Sequence, residues 1–253
     1  IAELVNEAEK RGLKLSELVL KTQAAMTEKT EEEMFATMER SLQVMKESVQ
    51  DGLDKDKRSA SGLTGGDAYK LNEALKAGKN IAGHFFGNAM MKAVAVAQTN
   101  ACMGRIVASP TAGSCGILPS ALLTLQEEKN ISDKDLVMAL FTASAVGIVI
   151  ATNASVAGAA GGCQAECGAA SAMAAAAMVE LCGGTPKQCE HACAIALKNI
   201  LGLVCDPVAG LVEIPCIKRN AGGVGNALVA AELALAGVES HIPADEVIVA
   251  MKK

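Results

Sequence analysis

Three cysteines in the second half of the chain are the strongest candidates for chemistry. Cys163 follows the small-residue segment 153–162, and Cys205 and Cys216 flank a stretch that contains proline. Thiols in glycine- or proline-rich chain can turn toward a common point, whereas a thiol inside a helix packs as a small apolar group. Three converging thiolates suit an iron–sulfur cluster or a zinc ion. We therefore predict that these three cysteines lie outside regular helix and can share one metal site.

The spacing of the cysteines leaves the type of site open. The chain contains no C-x-x-C pair of the kind found in zinc ribbons and ferredoxins. Cys189 and Cys193 are four residues apart on one face of a predicted helix, where buried thiols are the expected role. The same role is expected for Cys102, Cys115, Cys167 and Cys182. A four-iron cluster held by only three thiolates would leave one iron open to act as a Lewis acid.

Two segments rich in glycine and hydroxyl side chains are candidates for binding an anion. They are residues 61–67, SGLTGGD, and residues 109–119, SPTAGSCGILP. Glycine lets backbone N–H groups approach an anion closely, although an ordinary flexible loop is the simpler interpretation of the first segment. The second segment does not match the G-x-S-x-G pattern of a hydrolase nucleophile elbow. The candidate residues in the two segments are Ser61, Gly62, Thr64, Thr111, Gly113 and Ser114.

The composition favours a helical protein with small side chains at its helix contacts. Apolar residues make up 51% of the chain and charged residues 20%, which argues against disorder, but aromatic residues make up only 2%. No stretch alternates like strands joined by hairpin turns. We predict an all-α fold in one continuous domain over residues 1–253. The net charge of −5, without a basic stripe, argues against nucleic-acid binding.

Several helix starts are readable from the sequence. Thr30 with Glu33 forms a capping box, Thr185 is followed by proline, and Ser132 precedes an uncharged run over residues 136–151. That run is shorter than the roughly 20 residues that a membrane-spanning helix needs, so we predict a buried central helix. Helical patterns also cover residues 71–112 and 220–236. The apolar stripe of the helix after Thr30 is predicted to face the core, and it comprises Phe35, Met38, Leu42, Met45 and Val49.

The cysteine content indicates a reducing compartment. Nine cysteines, an odd number, do not resemble a secreted disulfide framework in a chain of this size. The first twenty residues mix charged with apolar side chains and do not resemble a signal peptide. We therefore expect the protein in the cytoplasm.

Four segments together resemble a known enzyme family. They are SGLTGGD (61–67), MGRIVASPTAGSCGILP (103–119), NASVAGAAGGCQAE (153–166) and LKNILGLVCDPVAGLVEIPCIKRNA (197–221). These segments closely resemble the α subunit of the iron–sulfur-dependent bacterial L-serine dehydratases, and the similarity covers nearly the whole chain. The resemblance implies a helical catalytic subunit that converts L-serine to pyruvate and ammonia without pyridoxal phosphate.

The resemblance also implies the metal ligands, and the other residue roles are our hypotheses for the implied reaction. A 4Fe–4S cluster would be bound by Cys163, Cys205 and Cys216, and its open iron would bind the substrate hydroxyl. The two hydroxyl-rich segments would bind the serine carboxylate, with Asn153 as a further substrate-binding residue. Lys218 would add positive charge, although a solvated basic side chain is an equally good interpretation. The base that removes the Cα proton is not identified by the sequence, and we assign it to Ser114.

The family resemblance carries expectations about partners. Some members join α and β parts in one polypeptide, and this chain has no room for a β part, so a separate β subunit and an oligomeric enzyme are expected. In some members a cysteine of the C-terminal tail reaches the open iron, whereas the segment 249–253 has none. Self-inhibition by a tail is therefore not expected from these residues.

Two other functions compete with the enzyme hypothesis. A non-catalytic helical subunit could hold a structural or redox-sensing metal in a closed site. A thiol-nucleophile enzyme would need a base beside a reactive cysteine, and the three histidines form no local motif of that kind.

Overall fold

The computed structural model describes residues 1–211 and 213–252, and in them the fold is all-α as predicted. The only β pairing in these residues is an isolated bridge between Val208 and Leu211. One buried core extends from the first helix to the last. The helices are α1 (Ala2–Arg11), α2 (Leu15–Met26), α3 (Glu31–Gly52), α4 (Asp67–Lys76), α5 (Gly83–Ala101), α6 (Ile117–Lys129), α7 (Asp133–Asn153), α8 (Gly158–Cys163), a π-helical segment (Gln164–Gly168), α9 (Ala169–Leu181), α10 (Pro186–Asn199), α11 (Glu213–Leu235) and α12 (Ala244–Lys252).

The predicted helix starts are confirmed. The Thr30 hydroxyl accepts a hydrogen bond from the Glu33 N–H at 3.1 Å, and the Glu33 carboxylate accepts from the Thr30 N–H at 2.9 Å. Ser132 caps α7, and Thr185 caps α10 with proline in the first turn. These bonds satisfy N–H groups that have no partner within the helix.

The apolar stripe of α3 faces the core as predicted. Leu42, Met45 and Val49 are buried, and Phe35 and Met38 pack against the same core from its edge. The polar side chains between them remain toward solvent, so the helical period of the sequence is expressed directly in the packing.

Helix α9 lies at the centre of the fold. Every residue from Ala169 to Glu180 is buried, and the helix packs against α6, α7, α10 and α11. Helix α7, which is long and apolar enough to cross a membrane by length and composition, has 61% of its most apolar window buried inside the protein. The predicted buried central helix over residues 136–151 is therefore confirmed as part of α7.

Glycine lets three of these segments approach a neighbour with no room for a side chain. A Cβ atom on Gly52 would lie 1.9 Å from the Ala95 carbonyl oxygen, and one on Gly116 would lie 2.3 Å from the Ala93 carbonyl oxygen. A Cβ atom on Gly223 would lie 2.3 Å from the Ile117 side chain. The short separations around α5 and α6 thus depend on the absence of side chains at these positions.

Two predicted helix boundaries were wrong. The pattern over residues 71–112 is divided, because α4 ends before Gly78 (φ 67°) and α5 ends before Met103 (φ 62°). Left-handed residues of this kind close a helix by bonding back to its last carbonyls. Helix α11 begins at Glu213 rather than at residue 220, with Pro215 in its first turn. Proline is tolerated there because its missing N–H would have had no partner within the helix.

We predict that Gly52→Ala destabilises the fold, while Gly222→Ala does not. Alanine at position 52 must displace the backbone of α5, and overpacking of this kind costs roughly 1–3 kcal/mol of unfolding free energy. Gly222 lies inside α11 with no atom within 4 Å of an added Cβ. There alanine should raise the unfolding free energy by about 0.5–1 kcal/mol. Urea unfolding followed by circular dichroism measures both, and equal effects would contradict the close-approach interpretation.

Candidate metal centre and active site

Cys163 stands at the start of the helical run that continues into α9. Helix α8 is bent at Gly162, whose φ of 75° and close approach to the Leu203 carbonyl both require glycine. Just after the bend, the Gln164 N–H donates to the Leu203 carbonyl at 2.9 Å. These contacts hold the segment that precedes Cys205 against the start of the helix.

The Cys163 sulfur is fully buried and hydrogen-bonded. The Arg219 guanidinium donates to it at 2.7 Å. The pKa of Cys163 falls to about 6, because the Cys167 thiol hydrogen-bonds to its sulfur and the Arg219 guanidinium donates to it, against the opposing effect of burial. Cys163 is thus held close to the thiolate form that binds metals.

The pKa values of Cys205 and Cys216 are raised, whereas the pKa of Cys163 is lowered. Burial, followed by the negative charges of Glu166, Cys163 and Cys205, raises the pKa of Cys216 to about 11. Burial and the Cys163 charge also raise the pKa of Cys205. Cys205 lies in the loop between α10 and α11 as predicted, but Cys216 lies inside the first turns of α11. The prediction that all three cysteines lie outside helix was therefore wrong for Cys216, because α11 begins earlier than its proline content indicated. It was also wrong for Cys163, which is the last residue of α8.

Two of the three cysteines lie in the wall of a cavity of about 470 Å³, and Cys163 is close to both of them. Cys205 and Cys216 line this cavity, and the charge of Cys163 acts on both of them. Arg219 connects them further, since it also donates to the Val204 carbonyl at 3.1 Å and pairs with Asp206 at 2.7 Å. Within residues 1–211 and 213–252, no three His, Cys, Asp or Glu side chains are placed to hold a single metal ion.

Glu166 is a residue of the cavity that the sequence analysis did not select. It belongs to the π-helical segment, lines the cavity, and accepts a hydrogen bond from the Thr111 hydroxyl. Its carboxylate occupies the space that side chains on Gly113 and Gly158 would need. One signal was available, because Glu166 is the only charged residue between Asn153 and Val179. The π-helical turn that aims it into the cavity has no comparable sequence signature.

Asn220 joins the second hydroxyl segment to α11. Its side chain is fully buried, and its Oδ1 accepts from the Gly116 N–H at 2.8 Å. Its Nδ2 donates to the Gly113 carbonyl at 2.8 Å and to the Cys216 carbonyl at 2.7 Å. One amide therefore fixes residues 113–116 relative to the helix that carries Cys216.

Each of the predicted anion-binding loops contacts a carboxylate that lines this cavity. In the first loop, Ser61 and Thr64 donate to the carboxylate of Glu213, which lines the cavity, and Gly62 turns the loop with a φ of 73°. Burial raises the pKa of Glu213, but the hydrogen bonds from Ser59, Thr64 and Ser61 lower it by more, so this pKa lies below its usual value. The loop thus binds a carboxylate, and in this structure that carboxylate belongs to the protein.

The second loop places one predicted residue in the cavity wall and two behind it. Gly113 lines the cavity, whereas Thr111 and Ser114 do not. Ser114 is fully buried, with its hydroxyl 3.1 Å from that of Thr111. Thr111 gives its single hydroxyl proton to Glu166, so the hydrogen bond between the two hydroxyls is donated by Ser114.

Asn153 and Lys218 are not brought into the cavity lining. Asn153 is the last residue of α7, is exposed, and donates from its side chain to the Val149 carbonyl at 2.9 Å. Lys218 is exposed on α11. Their assignment to the substrate stays a prediction.

The remaining cysteines divide into buried and partly exposed thiols. Cys189 and Cys193 are buried in α10, in agreement with their expected packing role, and burial raises the pKa of each. Cys115 and Cys167 are also buried, while Cys102 and Cys182 are only partly so. All nine cysteines are free thiols.

We predict that Asn220→Ala costs roughly 2–4 kcal/mol of unfolding free energy, because it leaves the buried Gly116 N–H and the half-buried Gly113 carbonyl without their side-chain partner. Asn226→Ala is the matched control on the same helix. Asn226 is only partly buried and bonds to Asn199 and to the Ala196 carbonyl. Water can replace these bonds, so a loss below about 1 kcal/mol is expected. Urea unfolding of both variants tests this, and a smaller loss for Asn220→Ala than for Asn226→Ala would contradict it.

Comparison with known proteins assigns the chain to a family. The family model described as "Serine dehydratase alpha chain" matches residues 10–253. A probable L-serine dehydratase α chain of Bacillus subtilis (strain 168) is 51% identical over 100% of this chain and 84% of its own length. An L-serine dehydratase α chain of Peptoniphilus asaccharolyticus is 45% identical over 98% of this chain and 85% of its own length. An L-serine dehydratase of Escherichia coli (strain K12) is 35% identical over 98% of this chain but only 56% of its own length. The helical fold, the cysteines around one cavity and these similarities together show that the chain belongs to the serine dehydratase α-chain family.

Proposed function

We propose that this chain is the catalytic subunit of an L-serine dehydratase. Elimination of water across the Cα–Cβ bond of L-serine gives aminoacrylate, which tautomerises to an imine, and hydrolysis of the imine yields pyruvate and ammonium. The proposal rests on the cavity lined by Cys205, Cys216 and Glu166, together with the membership of the chain in the serine dehydratase α-chain family. The names of the relatives support the choice of substrate.

A 4Fe–4S cluster bound by Cys163, Cys205 and Cys216 is part of this proposal. The donor set fits a cluster of this kind. Cys205 and Cys216 line the cavity, and Cys163 is close enough for its charge to raise the pKa of both. Thiolates are the usual ligands of iron–sulfur clusters. When bound through three thiolates, such a cluster supplies an open iron position that acts as a Lewis acid toward the serine hydroxyl.

The carboxylate of serine is proposed to bind at the loops around the cavity. Ser61 and Thr64 already donate to a carboxylate oxygen of Glu213 at the cavity edge, so their hydroxyls suit this chemistry. A substrate carboxylate at the same hydroxyls has to compete with Glu213. Gly113 contributes to the cavity wall directly, and Thr111 contributes through its hydrogen bond to Glu166.

Ser114 remains our proposed base for the Cα proton. Its own proton is directed toward Thr111, whose proton is directed toward Glu166. As Ser114 accepts the Cα proton, it passes its own proton to Thr111, and the Thr111 proton passes to the Glu166 carboxylate, which takes up the net proton. The proton must reach Ser114 past Gly113, because Ser114 lies behind the cavity wall.

A separate β subunit is proposed as the partner. Two relatives are named as α chains, and this chain covers most of their length, whereas it covers 56% of the E. coli protein. Met103 and Leu211 line the cavity and are exposed, at 87% and 40%. Apolar side chains at the mouth of a cavity suit coverage by a partner that excludes water. The assembled oligomer is expected in the cytoplasm.

We predict that Cys205→Ser loses the cluster, while Cys189→Ser retains it. Replacing one of three thiolate ligands should reduce iron and acid-labile sulfide from about four per chain to a small residual value. Cys189 is buried in α10, away from the cavity lining, and serves as the control. The measurement combines iron and sulfide analysis with pyruvate formation from L-serine, on the α chain purified without oxygen together with its β subunit.

The same measurement separates the enzyme from a non-catalytic metal subunit. Wild type that binds iron but forms no pyruvate from L-serine would contradict the enzyme proposal and favour a closed structural site. Loss of iron in Cys189→Ser with retention in Cys205→Ser would show that the wrong thiols were assigned.

We predict that Ser114→Ala lowers kcat by roughly 100-fold or more, as expected for removal of a general base. KM for L-serine and the iron content should change little, because Ser114 is absent from the cavity lining. Steady-state pyruvate formation measures both constants. A kcat within a few fold of wild type would assign Ser114 a structural role in the 111–116 loop.

A further inference from the structure

One group of the proposed substrate has no partner in the site as described so far. L-Serine carries a hydroxyl, a carboxylate and an α-ammonium group, and only the first two have been given binding groups. An ammonium group buried in a cavity needs a hydrogen-bond acceptor and, for full compensation, a negative charge.

The described residues that line the cavity provide negative charge and no positive charge. Glu166 and Glu213 lie there with the thiols of Cys205 and Cys216, and no Lys, Arg or His side chain is among the lining residues. The Glu213 carboxylate already accepts from Ser61 and Thr64 on the first loop. Glu166 is therefore the carboxylate with capacity left for a cationic ligand.

The position of Glu166 is strongly constrained by the surrounding backbone. Its carboxylate oxygens would lie 2.7 Å from a Cβ on Gly113 and 2.6 Å from a Cβ on Gly158. Both glycines also line the cavity. The π-helical segment adds a residue to the turn and thereby changes the direction in which Glu166 points. Two glycines and one irregular turn thus place a carboxylate between the two walls of the cavity.

Only part of the hydrogen-bonding capacity of Glu166 is used inside the protein. The Thr111 hydroxyl donates to Oε1. Among the described residues no Lys, Arg or His forms an ion pair with Glu166, and the nearby Arg219 is committed to Cys163, Val204 and Asp206. Oε2 therefore remains available to a donor that enters the cavity.

We propose that Glu166 binds the α-ammonium group of the substrate and makes the site selective for 2-amino acids over the corresponding acids without an amino group. This inference rests on the proposed dehydratase function. Thr111 fixes the rotamer of the carboxylate, and Gly113 and Gly158 provide the space for it. Binding at the ammonium orients the Cα and Cβ atoms relative to the three cysteines.

The test compares L-serine with 3-hydroxypropanoate, which lacks only the amino group. The holoenzyme purified without oxygen is assayed for KM with L-serine and for the inhibition constant of 3-hydroxypropanoate. In Glu166→Gln, loss of the charged hydrogen bond should raise KM for L-serine roughly 10- to 100-fold. The inhibition constant of 3-hydroxypropanoate should stay within about threefold or fall, because that compound has no ammonium group to lose.

Two further variants keep the test decisive. Glu166→Asp retains the negative charge and should retain a preference for the amino compound, even if Glu166→Gln assembles poorly. Glu39→Gln, at an exposed position on α3, is the control for removal of a carboxylate and should leave both constants unchanged.

Each other outcome overturns the inference in a recognisable way. Equal weakening of both compounds in Glu166→Gln would indicate a structural role. If wild type converts L-serine but Glu166→Gln prefers L-serine to 3-hydroxypropanoate as strongly as wild type does, this inference is overturned and the proposed function stands. Failure of wild type to convert L-serine would overturn the proposed function and this inference together.

Discussion

The close approach of helices with almost no side chain between them is the constraint on which this structure depends. Helix α9, which is buried from Ala169 to Glu180, is surrounded by four helices, and alanine is its commonest residue. Gly52 and Gly116 lie against the backbone of α5 at distances that exclude even a methyl group. Because the helices are so close, their ends are fixed with little freedom. The cavity lies where several of these ends meet.

The first turns of α11 connect that packing to the site. Glu213, Cys216 and Asn220 are spaced so that they project from one side of the helix. Glu213 contacts the 61–64 loop and Asn220 the 113–116 loop, while Arg219 reaches the Cys163 sulfur. One helix therefore positions both loops and two of the three cysteines. A shift of α11 would move all of these groups together.

The three cysteines differ in how readily they lose their protons, which is a condition for binding metal as thiolates. Cys163 has a lowered pKa because of Cys167 and Arg219, whereas burial and neighbouring charges raise the pKa of Cys205 and Cys216. In the proposed enzyme, Cys163 provides a thiolate at neutral pH, and the other two lose their protons when metal binds. Glu166 adds a carboxylate beside these thiols, and this carboxylate is the proposed partner of the substrate ammonium group.

The sequence by itself determined the helical class, the capped helix starts, the buried run in α7 and the importance of Cys163, Cys205 and Cys216. These features follow from local rules, since caps, apolar period and residue type act within a few positions along the chain. Only the tertiary structure decided that Glu166 faces the cavity, that Glu213 holds Ser61 and Thr64, and that Asn220 joins two segments. Each of these contacts links residues more than 50 positions apart. A lone glutamate or asparagine has no local pattern that reveals its distant partner, so such contacts are fixed by packing of the whole chain.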